Sequence, residues 1–205
     1  AGQTWTDISS GLQIMEIHKF NSSRSNSNLL VAGTQDNGSN KSVNGVLTRI
    51  NYGDGLKCYI DYVNENRIYT SYQNGAIFRS DDGGITQTSI QPSSSYNFMT
   101  NFALNPLNSN TIYAVYNEVF KSTNRGTNWY PISSGGLLLT QGGAINIPIV
   151  AAPSDTNVIY IAKNTDLYKT SNGGASWQNI SPGIMSSYNI TGITVSNTNA
   201  NTVFI

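Results

Sequence analysis

The chain has 205 residues, 11 basic and 11 acidic side chains that balance to a net charge of +0, and a charged fraction of only 11%. No basic stripe exists to meet phosphates, which argues against a nucleic-acid partner, and no apolar run reaches the ~18 residues of a membrane-spanning helix. A single cysteine excludes an internal disulfide framework, and a single histidine excludes a His-rich metal site.

Short runs rich in Ile, Val, Tyr and Thr, broken by Asn, Asp, Gly and Ser, follow one another along the whole chain, which is strand-and-turn grammar. No stretch of ten or more residues carries helical periodicity. Gln13 to Phe20 alternates and holds His18 as a half-exposed strand residue; Val43-Asn44-Gly45 then forms a plain hairpin. The second unit shows the pattern best, with strands expected at Lys57 to Tyr62, Arg67 to Tyr72, Ala76 to Ser80 and Thr86 to Ile90. Cys58 in the first of these reads as a small buried hydrophobe. Between the third and fourth units lies a long insertion, Ser133 to Ala144, whose Leu137, Leu138 and Leu139 suggest packing on a neighbouring segment or partner. Unit boundaries fall near 5–51, 54–91, 97–133 and 145–181, with a partial unit at 188–205, all within one domain spanning 1–205.

Two markers repeat through these units. The first is a phrase with Ser or Thr, then Asn or Asp, Gly, a small polar residue and Trp. It reads Ser122-Thr-Asn124-Arg-Gly126-Thr-Asn128-Trp129 and Thr170-Ser-Asn172-Gly-Gly174-Ala-Ser176-Trp177. A third copy, Ser80-Asp-Asp82-Gly-Gly84-Ile-Thr86-Gln87, has Gln in place of Trp, and Gly2-Gln3-Thr4-Trp5 matches the tail of a fourth. An Ile follows three residues later each time, at Ile8, Ile90, Ile132 and Ile180. The second marker is a polar turn leading to Tyr69, Tyr113, Tyr160 and Phe204, which step by 44, 47 and 44 residues (69 to 113, 113 to 160, 160 to 204). One period of ~40–50 residues from two independent markers is the mark of a propeller, solenoid or array. The phrase itself reads as a stabilised hairpin. Gly, Asn and Asp tolerate positive φ, their side chains and the Ser or Thr hydroxyl satisfy backbone N–H groups, and the Trp anchors the turn.

The pattern Ser-x-Asp-x-Gly-x-Thr-Trp resembles the Asp-box, or BNR repeat, of sialidases, xyloglucanase-type glycoside hydrolases, sortilin-type receptors and photosystem assembly factors, all of them β-propellers. The resemblance covers almost the whole chain. It implies an all-β propeller segment of about four four-stranded antiparallel blades plus the start of another. It also implies a scaffold role for Ser80, Asp82, Gly84, Thr86, Ser122, Asn124, Gly126, Trp129, Thr170, Asn172, Gly174 and Trp177. In a propeller of this kind the repeat lies in the turn between the third and fourth strands. Any site is then expected on the opposite face, where the second-to-third-strand loops and the blade-to-blade connections gather.

On that face the first unit offers Gly33-Thr-Gln35-Asp36-Asn37-Gly38 and Asn51-Tyr52-Gly53-Asp54-Gly55, and the second offers Tyr72-Gln73-Asn74-Gly75. Gln35, Asp36, Asn37, Tyr52, Asp54, Tyr72 and Asn74 are the expected ligand-binding residues, with Tyr116 a further ring that could stack on sugar. Asp36 and Asp54 are weak catalytic candidates, since a pair of carboxylates flanking a glycosidic bond makes an acid and a base. Asp- and Asn-rich loops of this kind could also hold Ca²⁺, though no metal ligand set is assigned; the plainer reading is that these residues stabilise tight Gly turns. The Gln-Asp-Asn-Gly loop followed by Gly-Asp-Gly also looks like a pairing in large secreted bacterial Asp-box proteins, which points to an extracellular, bacterial setting. Departures from the enzyme families are plain: sialidases carry an arginine triad, but Arg67 and Arg79 lie in or beside strands. Xyloglucanase-type enzymes place two aspartates across a cleft between two propellers, and this chain supplies at most one wall. The expected function is a secreted scaffold that binds a glycan or protein ligand, with further blades or a second copy at the open ends of the stack. Two alternatives stand beside it: one wall of a glycoside hydrolase, and a purely structural module of a large surface protein.

Overall fold

The computed structural model describes residues 4, 6, 15–92, 99–133, 137, 147–181, 183 and 188–205. Its described residues form four four-stranded antiparallel sheets and one two-stranded sheet, each built from consecutive strands. The first holds β1 (Ile17–Ser22), β2 (Leu29–Thr34), β3 (Gly38–Val43) and β4 (Val46–Asn51). The second holds β5 (Cys58–Ile60), β6 (Ile68–Ser71), β7 (Ile77–Ser80) and β8 (Thr88–Ser89). The third holds β9 (Phe102–Leu104), β10 (Ile112–Val115), β11 (Val119–Ser122) and β12 (Tyr130–Pro131). The fourth holds β13 (Ile149–Ala152), β14 (Asp155–Lys163), β15 (Asp166–Thr170) and β16 (Gln178–Asn179); β17 (Thr194–Val195) and β18 (Val203–Phe204) make the last pair. Lys19, Tyr59, Phe102, Ile149 and Thr194, one from the first strand of each sheet, line a single cavity. The sheets therefore fan about a common centre with their first strands inward, which is the arrangement of a β-propeller.

The core lies between sheets rather than within one. Leu29, Val31 and Ile50 of the first sheet pack with Cys58, Ile60 and Ile68 of the second, and Tyr69 and Ile77 pack with Phe102, Ile112 and Tyr116 of the third. A blade sandwiched on both faces needs a central strand without polar alternation, and β6 and β10 are buried at every position. Tyr69, Tyr113 and Tyr160 are buried, as their period requires. Phe204, expected in the core on the same logic, is 64% exposed because β18 has no third strand beside it among the described residues. Cys58 is buried, as its place in an alternating run implied, and its thiol donates to the Lys19 and Val31 carbonyls, 3.4 Å each, across the blade boundary.

The recurrent phrase is the device that joins blade to blade. In each copy the Ser or Thr hydroxyl receives the N–H of the phrase Gly, Gly84 and Gly126 at 2.8 Å and Gly174 at 3.0 Å. The Asp or Asn side chain receives the N–H of the small polar residue, Thr86, Asn128 or Ser176, at 2.8–2.9 Å. So folded, the turn aims its next side chain at the preceding blade. Trp129 donates its indole N–H to the Ile90 carbonyl at 2.6 Å and Trp177 to the Ile132 carbonyl at 2.8 Å. Gln87 performs the same act on Ile50 with its amide, at 3.1 Å. The repeated Ile thus has a stated purpose. Ile90 and Ile132 give their N–H to Ile77 and Val119 of their own blades and their carbonyl to the next.

A second staple runs alongside. Each full copy is preceded by a cation, and Arg79, with Lys41 at the matching place in the first blade, reaches across to the following blade's turn: Lys41 to the Gly83 carbonyl and Arg79 to the Arg125 carbonyl, both at 2.6 Å. Arg67 and Arg79 are further tied to Asp61 and Asp81 at 2.7–2.8 Å, which leaves them no part in a carboxylate-gripping triad. Within a blade the phrase turn hugs the first hairpin: Gly83, Arg125 and Gly173 donate their N–H to the Asn66, Asn110 and Asn157 carbonyls. These turns share one face, and the candidate loops occupy the other.

Leu137 of the expected leucine insertion is buried against Ile147 and Ile132. The rest of that leucine run, together with Trp5 and Ile8, lies outside the described residues.

Candidate functional site

Three loops that sequence topology assigns to one face are held together there by a dense set of bonds. Gly38 N–H donates to the Gly53 carbonyl at 2.8 Å and Gly55 N–H to the Thr34 carbonyl at 3.0 Å, so the loop after β2 and the connection after β4 lie backbone on backbone. Gly33 and Gly55 allow this closeness, since a side chain at either would collide with main-chain atoms of the other segment. Asp36 (φ 58°) and Gly38 (φ 75°) turn the first loop through left-handed backbone, and Asn74 (φ 62°) with Gly75 (φ 74°) does so between β6 and β7.

Asp54 is the hub. Its Oδ1 accepts the Gln35 side-chain amide at 2.8 Å and the Asp36 backbone N–H at 3.0 Å, while its own N–H donates to the Gln73 Oε1 at 2.8 Å. The Gln35 amide also reaches the Asp36 carboxylate at 3.2 Å. Its oxygen accepts the His18 Nε2–H at 2.9 Å, a tautomer that follows because the amide nitrogen is committed to the two carboxylates. Asp36 and Asp54 are therefore brought together, around one amide nitrogen. Among the described residues no group of three His, Cys, Asp or Glu side chains converges as a metal cage.

The remaining candidates divide. Asn37 turns its amide back onto the Gln35 carbonyl at 2.9 Å. The Tyr72 ring lies against Gly53 and edge-on to Phe78, with centroids 6.5 Å apart, and so supports the loop from beneath. Tyr116 is wholly buried, with its hydroxyl on the Gly75 carbonyl, and has no free face to offer a sugar. Tyr52 differs from both: it is 71% exposed, and the Arg49 guanidinium sits 4.3 Å from its ring centroid. Asp36 and Asn74 are exposed on the two neighbouring loops.

His18, Gln73 and Arg49 were not legible as site residues. His18 stands on β1 and Arg49 on β4, where ordinary strand patterning accounts for each. The approach of separate segments gives His18 its role, and the exposure of Tyr52 three residues on gives Arg49 its own. Gln73 was visible within its loop but had no reason to be preferred over its neighbours.

Comparison with known proteins bears on the fold. No family model matches the chain, and no curated protein matches it. Among solved structures it is similar to the GH74 enzyme of Niastella koreensis, at TM-score 0.68 and 21% identity, covering 90% of this chain and 33% of that one. It is similar to YCF48 from Cyanidioschyzon merolae, at TM-score 0.59 and 16% identity over 91% of this chain and 62% of that one. A third likeness is an auxiliary nutrient binding protein from Bacteroides thetaiotaomicron, at TM-score 0.56 and 15% identity, over 80% and 46% respectively. The chain thus spans less than two thirds of each. At these identities the likeness establishes a β-propeller fold, shared by proteins with different work.

Proposed function

We propose that this chain is part of a secreted, bacterial Asp-box propeller, the recurrent phrase being the Asp-box, and that it serves as a carbohydrate-binding module. One observation carries the reading: an exposed tyrosine ring, Tyr52, braced by Arg49 on a connection that is hydrogen-bonded to neighbouring loops carrying carboxylate and amide groups. A ring held in place stacks on a sugar face at little entropic cost, and the neighbouring polar groups meet hydroxyls. The auxiliary nutrient binding protein among the similar structures accords with a binding role. The open ends of the blade stack are covered, on this reading, by further blades or a second copy.

A second reading draws on the likeness to GH74 and the pairing of Asp36 with Asp54: the chain is one wall of a glycoside hydrolase. Glycan-array binding, run beside hydrolysis of β-glucans, separates the two. The binding reading expects retention of a neutral or acidic oligosaccharide, weakened about tenfold in Tyr52→Ala by loss of one aromatic contact, and no turnover. Turnover abolished in Asp54→Asn or Asp36→Asn would establish the hydrolase instead. Neither binding nor turnover would leave a structural module.

A further inference from the structure

Two lysines stand where nothing in the repeat requires them. Lys19 on β1 and Lys57, which leads into β5, both line the cavity at the hub of the propeller, a space of about 650 Å³. That volume lies within the range of small-molecule sites, ~300–1,000 Å³. Its lining includes Lys57, Asn101 and Pro148, which lead into first strands on the side of the Tyr52 loops: Lys57 follows Asp54 by only three residues, and Ile205 lies at the end of β18. None of the described residues lining the cavity is Asp or Glu. Neither ammonium group makes an ion pair or a hydrogen bond among the described residues, whereas Lys41 and Lys169 each find an oxygen. In a chain whose charges balance, two like charges have been gathered with no counter-charge among the described residues.

The arrangement costs free energy in the empty protein. Lys57 is half-buried, and burial together with the nearby Lys19 charge pulls its ammonium below the ordinary lysine range. An anion entering the cavity removes both penalties at once. The rest of the wall speaks to what carries that anion. Tyr188 is 70% exposed at the rim, and Asn189 and Thr191 bring an amide and a hydroxyl. Aromatic faces, amides and hydroxyls suit a sugar ring; the lysines suit its carboxylates.

We infer that the axial cavity is a binding site for an acidic oligosaccharide, its carboxylates gripped by Lys19 and Lys57 and a ring laid against Tyr188. The inference rests on the carbohydrate-binding reading and deepens it by naming the class of glycan and a second place on the same face.

The test is calorimetric titration of the chain with a uronic-acid hexamer, with the neutral hexamer cellohexaose, and with inorganic phosphate. Wild type is compared with Lys57→Met, Lys19→Gln and the charge-matched control Lys121→Gln, whose cation lies over Tyr113 away from the cavity. Thermal melts confirm that each variant folds. The expected result is binding of the uronate hexamer that weakens about 10- to 100-fold in either cavity variant, the worth of one charge-assisted bond, is unchanged in the control, and falls as salt is raised. Equal binding of cellohexaose, untouched by the lysine substitutions, would overturn this inference while leaving the carbohydrate-binding module intact. Binding of phosphate alone would overturn the saccharide class, and uronate binding unaltered in Lys57→Met and Lys19→Gln would overturn the site. Failure of all three ligands would remove both readings.

Discussion

Substituting one methyl group tests whether the recurrent turn joins the blades. Gly174 has φ +103°, and a Cβ built on it would stand 2.6 Å from the Ile132 Cβ and 2.8 Å from the Ile132 carbonyl oxygen. Carbon atoms in contact prefer ~3.5–4.0 Å, so the methyl arrives about 1 Å too close to atoms that are main chain or bound rigidly to it. Two costs add in Gly174→Ala. Positive φ on an L-residue costs roughly 1–2 kcal/mol, and overpacking costs roughly 1–3 kcal/mol. Gly45→Ala isolates the first, because Gly45 has φ +81° in the hairpin between β3 and β4 and nothing within 4 Å of its added Cβ. At about 3 °C per kcal/mol for a chain of this size, Gly45→Ala lowers the melting temperature by about 3–6 °C and Gly174→Ala by about 6–15 °C. Thermal unfolding followed by tryptophan fluorescence and circular dichroism reads both. Equal losses in the two variants would mean that Gly174 meets nothing across the blade boundary, and the account of the turn as an inter-blade joint would be wrong.

Three further outcomes follow from the same geometry. Gln87→Trp should stabilise the chain by about 1 kcal/mol in urea unfolding, since Gln87 leaves its buried Oε1 unpartnered where the other copies place an indole; a loss would show that the site cannot admit the larger ring. Asp82 is held down to about 2, first by the Thr86 hydroxyl and then by the Thr86 N–H and the Ser80 hydroxyl. Its contribution is therefore fully present above about pH 4 and lost as pH falls through 2, so Asp82→Asn, the residue that the other copies carry at Asn124 and Asn172, should flatten that acid limb of a melting-temperature profile. Burial pushes the Cys58 thiol up to about 12, and native protein at pH 8 should resist iodoacetamide until denaturant is added; rapid alkylation without denaturant would contradict its burial.

The site shows how far patterning reaches and where it stops. The loops carrying Asp36, Asp54 and Asn74 could be placed on one face because strand order alone fixes which ends of a blade meet. That Asp54 spends one oxygen on Gln35 and on the Asp36 N–H, or that Tyr72 lies beneath Gly53 while Tyr52 stands clear, depends on distances between segments. Rings of one residue type thus took opposite roles: Tyr116 became core, Tyr72 a support and Tyr52 a surface.

What the sequence determined by itself was local and periodic. Each unit must bury both faces of a central strand, so Tyr69, Tyr113 and Tyr160 recur at steps of 44 and 47 residues, and each turn needs left-handed backbone, so Gly, Asn and Asp recur with them. These constraints act within a dozen residues and repeat, and repetition makes them visible. Tertiary structure alone decided the contacts between units: the Ile90 and Ile132 carbonyls that receive an indole from the next blade, the Lys41 and Arg79 staples, and the meeting of Lys19 with Lys57 at the hub. Their partners lie some forty residues apart, and how closely two blades stack, which no run of residues encodes locally, sets whether such groups touch.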